Sequence, residues 1–505
     1  MSEDVTEGMA RRQVYTYGGW RVSRPAGLGR FSFTETMGLL SGTIVLVVVN
    51  IVWGPLWALL VGVVLVATAA AVVLTRDRHG MNIIDRGKER MVFRRGRRKG
   101  ANVLRNGVLA PVRTDGRCRL PGILGAARLS EHEDSFRRPF AVIHQADGRL
   151  SVVMSLTPVG VMLVDQETID LNVALWGMWL ADIADEVGVV DAAVTVETSP
   201  DTGDKLRREV LGRRHEEAPD MACRIIDDVV AQAGTGGARV RTWVTVSFDP
   251  ARMSSVKRGR STRAIAEIAS SLPNLTQTLA ESGGGAVHLL RADELVTLAR
   301  VAYDPAVEQV LEDAVAAGST VELAWDEAGP VCHDAEWDHL RHDSGVSRSW
   351  VMTRPPRGVV QSGVLRRLLD VSSMVERKRV TILYRPLDPA RAPDVVERDV
   401  DMAHARVRTT DRPTERAVRD LAQARKTSAE EAEGAAVLDF GCVVTVTVSG
   451  SEQERRLADA SAAVTSLAAR ARLLVRTAYG AQDSAFALGL PLGLSPAQQR
   501  IGGGW

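Results

Sequence analysis

Cysteine is scarce: Cys118, Cys223, Cys332 and Cys442 are the only four in 505 residues. None lies near another and no Cys-x-x-Cys occurs, which argues against a disulfide framework and fits a body in a reducing compartment. No Gly-x-x-x-x-Gly-Lys-Ser/Thr occurs either. The glycine clusters Gly234–Gly237 and Gly283–Gly285 lack the lysine and the strand-to-helix setting of a phosphate cradle, and they read as turns. ATP hydrolysis by these residues alone is not expected. Gly-x-Ser-x-Gly is also missing, no Ser, His and Asp grouping stands out, and carboxylates are too common to single out a pair. The one stretch that invites a metal is "VCHDAEWDHLRHD" (331–343), with Cys332, His333, His339 and His342. His339 and His342, three apart, would share a helix face, and zinc accepts such ligands. A second cluster is missing and adjacent Cys-His rarely supply two ligands to one ion, so the stretch reads as polar surface. No cofactor and no catalytic residue is expected, and an enzyme is the minority reading.

Charge is absent from residues 37–75, "MGLLSGTIVLVVVNIVWGPLWALLVGVVLVATAAAVVLT". A bilayer core about 30 Å thick needs roughly 20 helical residues, and this run is nearly twice that. Its middle holds Trp53, Gly54 and Pro55. Gly and Pro break a helix, Trp suits the headgroup layer, and Pro at a first helical position loses no hydrogen bond. The reading is two spans, about Thr36–Val52 and Pro55–Leu74, joined by a minimal turn. Arg11, Arg12, Arg21, Arg24 and Arg30 precede the run, and Arg76 and Arg78 follow it. Behind these come Arg86, Lys88, Arg90, Arg94, Arg95, Arg97, Arg98 and Lys99. Basic flanks on both sides place both termini and the body in the cytoplasm, as a multi-pass protein of the inner (plasma) membrane. The net charge of +1 therefore hides a basic start and an acidic remainder. The block from Arg86 to Lys99 would attract anionic lipid by about 1 kcal/mol per charge. Phe93 is the one aromatic among these arginines and no set of stacking aromatics interleaves with them, so direct nucleic-acid contact is left open and not favoured.

The rest predicts an α+β body. "PFAVIHQADGRLSVVMSLTP" (139–158) alternates around Asp147-Gly148, a hairpin signal. Thr168–Glu186 carries a helical apolar stripe, and 189–201 returns as a strand. The pattern recurs at 238–249, 261–285 and 286–306. It recurs again at 437–450, 451–471 and 472–478, where Ser451 and Glu454 have capping-box spacing. Repeated strand–helix–strand units suggest ferredoxin-like halves. The expected divisions are a basic tail (1–35), a transmembrane hairpin (36–75), a basic juxtamembrane segment (76–135) and a first α+β region (136–306). A polar insertion with a charged helical arm (307–435) and a C-terminal strand–helix–strand unit with its tail (436–505) follow.

Three stretches together carry a resemblance. "YTYGGWRVSRPAGLGRFSF" (15–33), ahead of the hairpin, resembles actinobacterial conjugation-associated membrane proteins with a PrgI-like module. "RADELVTLARVAYDPA" (291–306) resembles the segment before the motor in the TraC/TrbE/CagE-type ATPases of type IV secretion. "YGAQDSAFALGLPLGL" (479–494) resembles those ATPases close to the motor, through Gln482, Phe486, Leu490, Pro491, Leu492 and Gly493. The resemblance implies a PrgI-like hairpin fused to the non-motor amino-terminal half of such an ATPase. The chain reaches Trp505 where that family continues into its ATP-binding core, so a separately encoded motor is the expected partner, with other secretion-channel subunits and an oligomeric assembly. The six tail residues are then candidates for the motor contact, the alternative being that they close the body's own core. EccE-type components of type VII secretion, which also join a short hairpin to an α/β body, are the second reading.

Overall fold

A computed structural model describes residues 16–17, 33–108, 110, 116–158, 160, 164–201, 203–215, 217–234, 237–253, 260–319, 323–356, 360–372, 374–409 and 412–496. In chain order the strands are β1 (Thr16–Tyr17), β2 (Val103–Arg105), β3 (Arg128–Glu133), β4 (Pro139–His144), β5 (Leu150–Thr157), β6 (Val189–Pro200), β7 (Ala238–Phe248) and β8 (Ala286–Leu289). They continue with β9 (Cys332–Ala335), β10 (Leu340–His342), β11 (Gly345–Arg354), β12 (Val360–Gln361), β13 (Arg377–Pro386), β14 (Leu438–Ser449) and β15 (Leu474–Thr477). The longer helices are α1 (Phe33–Trp53), α2 (Pro55–Leu74), α3 (Ile83–Arg98), α4 (Gln166–Asp185), α5 (Asp204–Gly212), α6 (Asp220–Gly234) and α7 (Arg260–Leu279). After them come α8 (Ala292–Tyr303), α9 (Val307–Ala316), α10 (Ala392–Arg408), α11 (Glu415–Ala432), α12 (Gln453–Arg470) and α13 (Gln482–Leu488).

Thirteen strands make one large antiparallel sheet in the order β2-β9-β10-β11-β14-β13-β6-β7-β5-β4-β3, with β15 on β11 and β8 on β5. The order contains a repeat. β5 pairs at its start with β4, at its end with β8, and along its length with β7, which pairs β6. β11 does the same with β10, β15, β14 and β13. In both halves the four strands run 4-1-3-2 in space, and two helices are inserted between the second and third, α5–α6 in one half and α10–α11 in the other. The halves join where β6 meets β13 antiparallel, Val196 opposite Val380. The first half crosses from β5 to β6 through α4; the second crosses from β11 to β13 with only the short helical turns Ser362–Leu365 and Arg366–Leu369.

Alternation along the strands splits the core by face. On one face α4 and α7 bury Trp179, Ile183, Ile268 and Leu272 against Val152, Val244 and Phe248 of the first half. Leu457 and Val464 of α12 pack on Val444 and Val446 of the second. The opposite face is continuous across both halves and is covered by α8, α13 and the 3₁₀ turn Gly122–Ala126.

The hairpin at Asp147-Gly148 is present, with Gly148 at φ +88° where a side chain would be strained. Helices also stand at 166–185 and 453–470 and strands at 189–200, 238–248 and 438–449, close to the expected bounds. Two expectations are corrected. Part of the stretch read as a polar insertion supplies β9, β10 and β11, three strands of the main sheet, with His333, His342, Ser347 and Ser349 buried. The Ser451–Glu454 capping box does not form, because Glu452 takes the N-cap position in left-handed backbone at φ +55°. The charged arm forms the helix α11, which packs against α10.

Thr36–Trp53, within α1, is long and apolar enough to cross a membrane, and Pro55–Thr68 forms a shorter apolar helical stretch. Ile44, Ile51, Leu56, Leu59 and Val66 are exposed.

Candidate functional site

The tail stretch builds the best-defined polar constellation in the body. After β15 the chain turns through Tyr479-Gly480, enters α13, and lies as Gly489–Ser495 across the polar face of the sheet. Gln482 is fully buried and stands in for a strand. Its Oε1 accepts from the Ser349 amide at 2.8 Å, and its Nε2 donates to the Ser349 and Ala478 carbonyls at 3.2 and 3.1 Å. Backbone carbonyls buried here need donors. Thr381 Oγ1 donates to the Gly489 carbonyl at 2.7 Å and Gln145 Nε2 to that of Leu492 at 2.6 Å. Ser247 Oγ donates to the Gly493 carbonyl at 3.4 Å. Gly493 sits at φ +74°, and a Cβ there would come within 2.1 Å of Ser151 Oγ. Phe486 is fully buried, its ring centre 5.0 Å from that of Tyr303 and 5.1 Å from that of His342.

This corrects the expected motor contact. Gln482, Phe486, Leu490, Pro491, Leu492 and Gly493 are all buried, so their side chains close the body's own core and are not available as anchors for another chain. The other stretch that carried the resemblance occupies the matching place in the first half: α8 follows β8 as α13 follows β15, and Tyr303 meets Phe486.

Beside this segment, where the halves join, lies a buried charge cluster that sequence reading missed. Glu197 Oε1 accepts from Arg241 and Arg377, each at 3.0 Å, and Oε2 accepts from Arg379 Nε at 2.9 Å. Glu308 accepts from Arg241 at 2.7 Å and pairs with Arg377, and Glu312 pairs with Arg239. Burial alone would push the Glu197 carboxyl up. Arg379, Arg377 and Arg241 outweigh it and hold Glu197 well below the usual carboxylate range. The guanidinium of Arg379 also lies 5.7 Å from the centre of the Phe486 ring, which ties the cluster to the tail. The cluster spans the seam, with Glu197 on β6 meeting Arg377 and Arg379 on β13.

The Cys and His stretch divides among separate tasks. His342 Nδ1 lies 2.6 Å from the Tyr303 carbonyl and Nε2 2.7 Å from Ser347 Oγ, so both ring nitrogens are used. Burial lowers its pKa to about 4 and keeps the ring neutral. His339 Nδ1 pairs with Asp338 at 2.9 Å, His333 is buried at the β9–β10 pairing, and Cys332 is exposed. Here β9, β10 and the turn between them replace the helix on which two of these histidines would have shared a face. Among the described residues no group of three or more His, Cys, Asp or Glu side chains is arranged to hold a metal ion.

Trp53 ends α1, Gly54 follows at φ +90°, and Pro55 opens α2. The eight basic residues from Arg86 to Lys99 lie on α3 and its C-cap. Arg86 pairs with Asp77 at 3.2 Å, Arg97 reaches Glu336 at 3.8 Å, and Arg90 lies over the Trp337 ring. Lys88, Arg94, Arg95, Arg98 and Lys99 are exposed and make no ion pair among the described residues.

A family model matches residues 24–85, over α1, α2 and the start of α3, and its description is a domain of unknown function (DUF8461). No curated protein matches the chain.

Proposed function

We propose that this protein is a non-catalytic membrane anchor and scaffold of a type IV secretion (conjugation) machine, and that it docks a separately encoded motor ATPase. In this reading α1 and α2 form a transmembrane hairpin, both termini and the body are cytoplasmic, and the body is a pair of ferredoxin-like halves. The observation that carries it is the pairing of β1 with β12, Thr16 opposite Gln361 and Tyr17 opposite Val360. β1 precedes the apolar helices and β12 belongs to the body that follows them. A tail and a body that share a ladder lie on one side of a membrane, which requires an even number of crossings. The bare apolar faces of α1 and α2 fit lipid as their solvent.

The body supports docking more than chemistry. Glu197, Arg377 and Arg379 pair across the seam between the halves, and Gln145, Ser247 and Thr381 hold the tail segment. It also exposes apolar side chains at four-residue spacing on α6, Met221, Ile225 and Val229, a kind of surface that marks contact sites. A motor needs an anchor against which to push, and a hairpin with both ends inside holds the body at the cytoplasmic face.

The test is nucleotide handling by the full chain purified in detergent. ATP hydrolysis at background level is expected from the chain alone, with activity appearing only when the complex is recovered from gently solubilised membranes. Saturable micromolar ATP binding by the purified chain would contradict the scaffold reading.

A further inference from the structure

We infer that α3 is an interfacial helix whose outer face rests on anionic phospholipid headgroups, and that this contact fixes the orientation of the body at the membrane. The inference rests on the membrane reading above and goes beyond it, because it separates the basic residues that face lipid from those that brace the helix.

Asn82 starts the helix with a capping box: its side chain accepts from the Asp85 amide at 2.8 Å, and the Asp85 carboxylate accepts from the Asn82 amide at 3.3 Å. One face of α3 is clamped to the second half. Glu89 accepts two hydrogen bonds from Arg476 at 2.9 and 2.6 Å. Phe93 meets Trp337 edge to face at 5.3 Å, and Trp337 stacks in turn on Tyr479 at 5.6 Å. Arg90 and Arg97 contribute to this clamp through Trp337 and Glu336.

The opposite face carries Ile84, Lys88, Met91, Arg95 and Arg98. Their spacing of four, three, four and three residues keeps them on one stripe of a helix with 3.6 residues per turn. All five are exposed, Met91 at 67%. Apolar side chains interleaved with unpaired cations do not suit water alone; they suit the boundary between acyl chains and acidic headgroups. Proximity favours the same contact. Only eight residues separate the end of α2 at Leu74 from the start of α3 at Ile83, a distance that keeps the helix close to the bilayer. Anionic lipid is the occupant that meets both the charge and the apolar groups. Duplex nucleic acid would meet the charge and leave Ile84 and Met91 without a partner.

The experiment uses the full chain in lipid nanodiscs, with its four cysteines replaced and a single environment-sensitive label at Met91→Cys. A second preparation carries the label at Met221→Cys on α6. The discs hold either phosphatidylcholine or an equal mixture with phosphatidylglycerol, and a spin-labelled lipid quenches at headgroup depth. Strong quenching at position 91 and little at 221 is expected in the acidic discs. The triple change Lys88→Gln, Arg95→Gln and Arg98→Gln should return position 91 to the level of 221, each lost charge weakening the contact roughly fivefold. Arg86→Gln, on the braced side, should leave the quenching unchanged. Equal quenching in neutral and acidic discs, an unchanged signal in the triple variant, or no quenching at 91 in a chain that has entered the disc would each overturn the inference. So would protection of the label by a duplex oligonucleotide in place of lipid. A chain that fails to enter discs at all would overturn the membrane reading, and this inference with it.

Discussion

Glu197→Gln is expected to lower the stability of the body by about 3–5 kcal/mol, the usual cost of removing one partner from a buried ion cluster. The carboxylate is 3% exposed and receives hydrogen bonds from three guanidiniums, of which Arg377 and Arg379 are themselves buried. Glutamine keeps the shape and removes the charge, so three arginines are left facing one another with Glu308 as the remaining counter-charge. Glu312→Gln is the comparison. Its pair with Arg239 lies partly open to solvent, where such pairs contribute about 0–1 kcal/mol. Thermal or denaturant melts of the two variants would measure the difference, and equal effects would show that the cluster does not join the halves.

The same groups set an acid limit. A carboxyl held below its unfolded value stabilises the fold above roughly pH 4.3, and that contribution is lost as the pH falls further. His342, lowered to about 4 by burial, binds its proton less readily than in the unfolded chain. Stability therefore begins to fall below roughly pH 6.5 and more steeply below 4.3. Glu197→Gln should remove part of the lower step and leave the upper one.

Phe486→Ala is the second large effect, a loss of about 3–5 kcal/mol from a fully buried aromatic ring. The ring touches Tyr303, His342 and the guanidinium of Arg379 and so binds the tail to both halves. A contact anchor for a motor would behave differently: its loss would spare the melt and cost about 2 kcal/mol or more of binding. The structure commits to the first outcome. An unchanged melting temperature with reduced recovery of a motor would reverse the placement of the tail.

These two residues also mark what the sequence left hidden. Periodicity located the hairpin at Asp147-Gly148, the helices at 166–185 and 453–470 and the break at Gly54, because each depends on neighbours a few residues away. It missed β13, where Arg377, Lys378 and Arg379 interrupt any apolar alternation. The burial of Arg377 and Arg379 depends on Glu197, some 180 residues earlier, and Arg379 also meets Phe486 of the tail, about a hundred residues on. β11 was hidden for a similar reason. Ser347 and Ser349 look like surface until the His342 ring and the Gln482 amide are seen to pair with them. The Leu-Pro-Leu-Gly run at 490–493 has the same composition whether it closes a core or meets a partner, and only the donors offered by Gln145, Ser247 and Thr381 decide between the two. The eight cations of α3 were visible as a block, but which of them brace the helix and which face outward depends on Trp337, Glu336 and Asp77.

In the proposed topology the tail and the body share one side of the membrane. Single cysteines at Gly18, Gly54 and Gly100, in a chain whose own cysteines are replaced, can be probed with a membrane-impermeant thiol reagent in whole cells and again after permeabilisation. Labelling of Gly54 is expected in intact cells, with Gly18 and Gly100 labelled only once the membrane is opened. Labelling of Gly18 or Gly100 in intact cells, with none at Gly54, would contradict it.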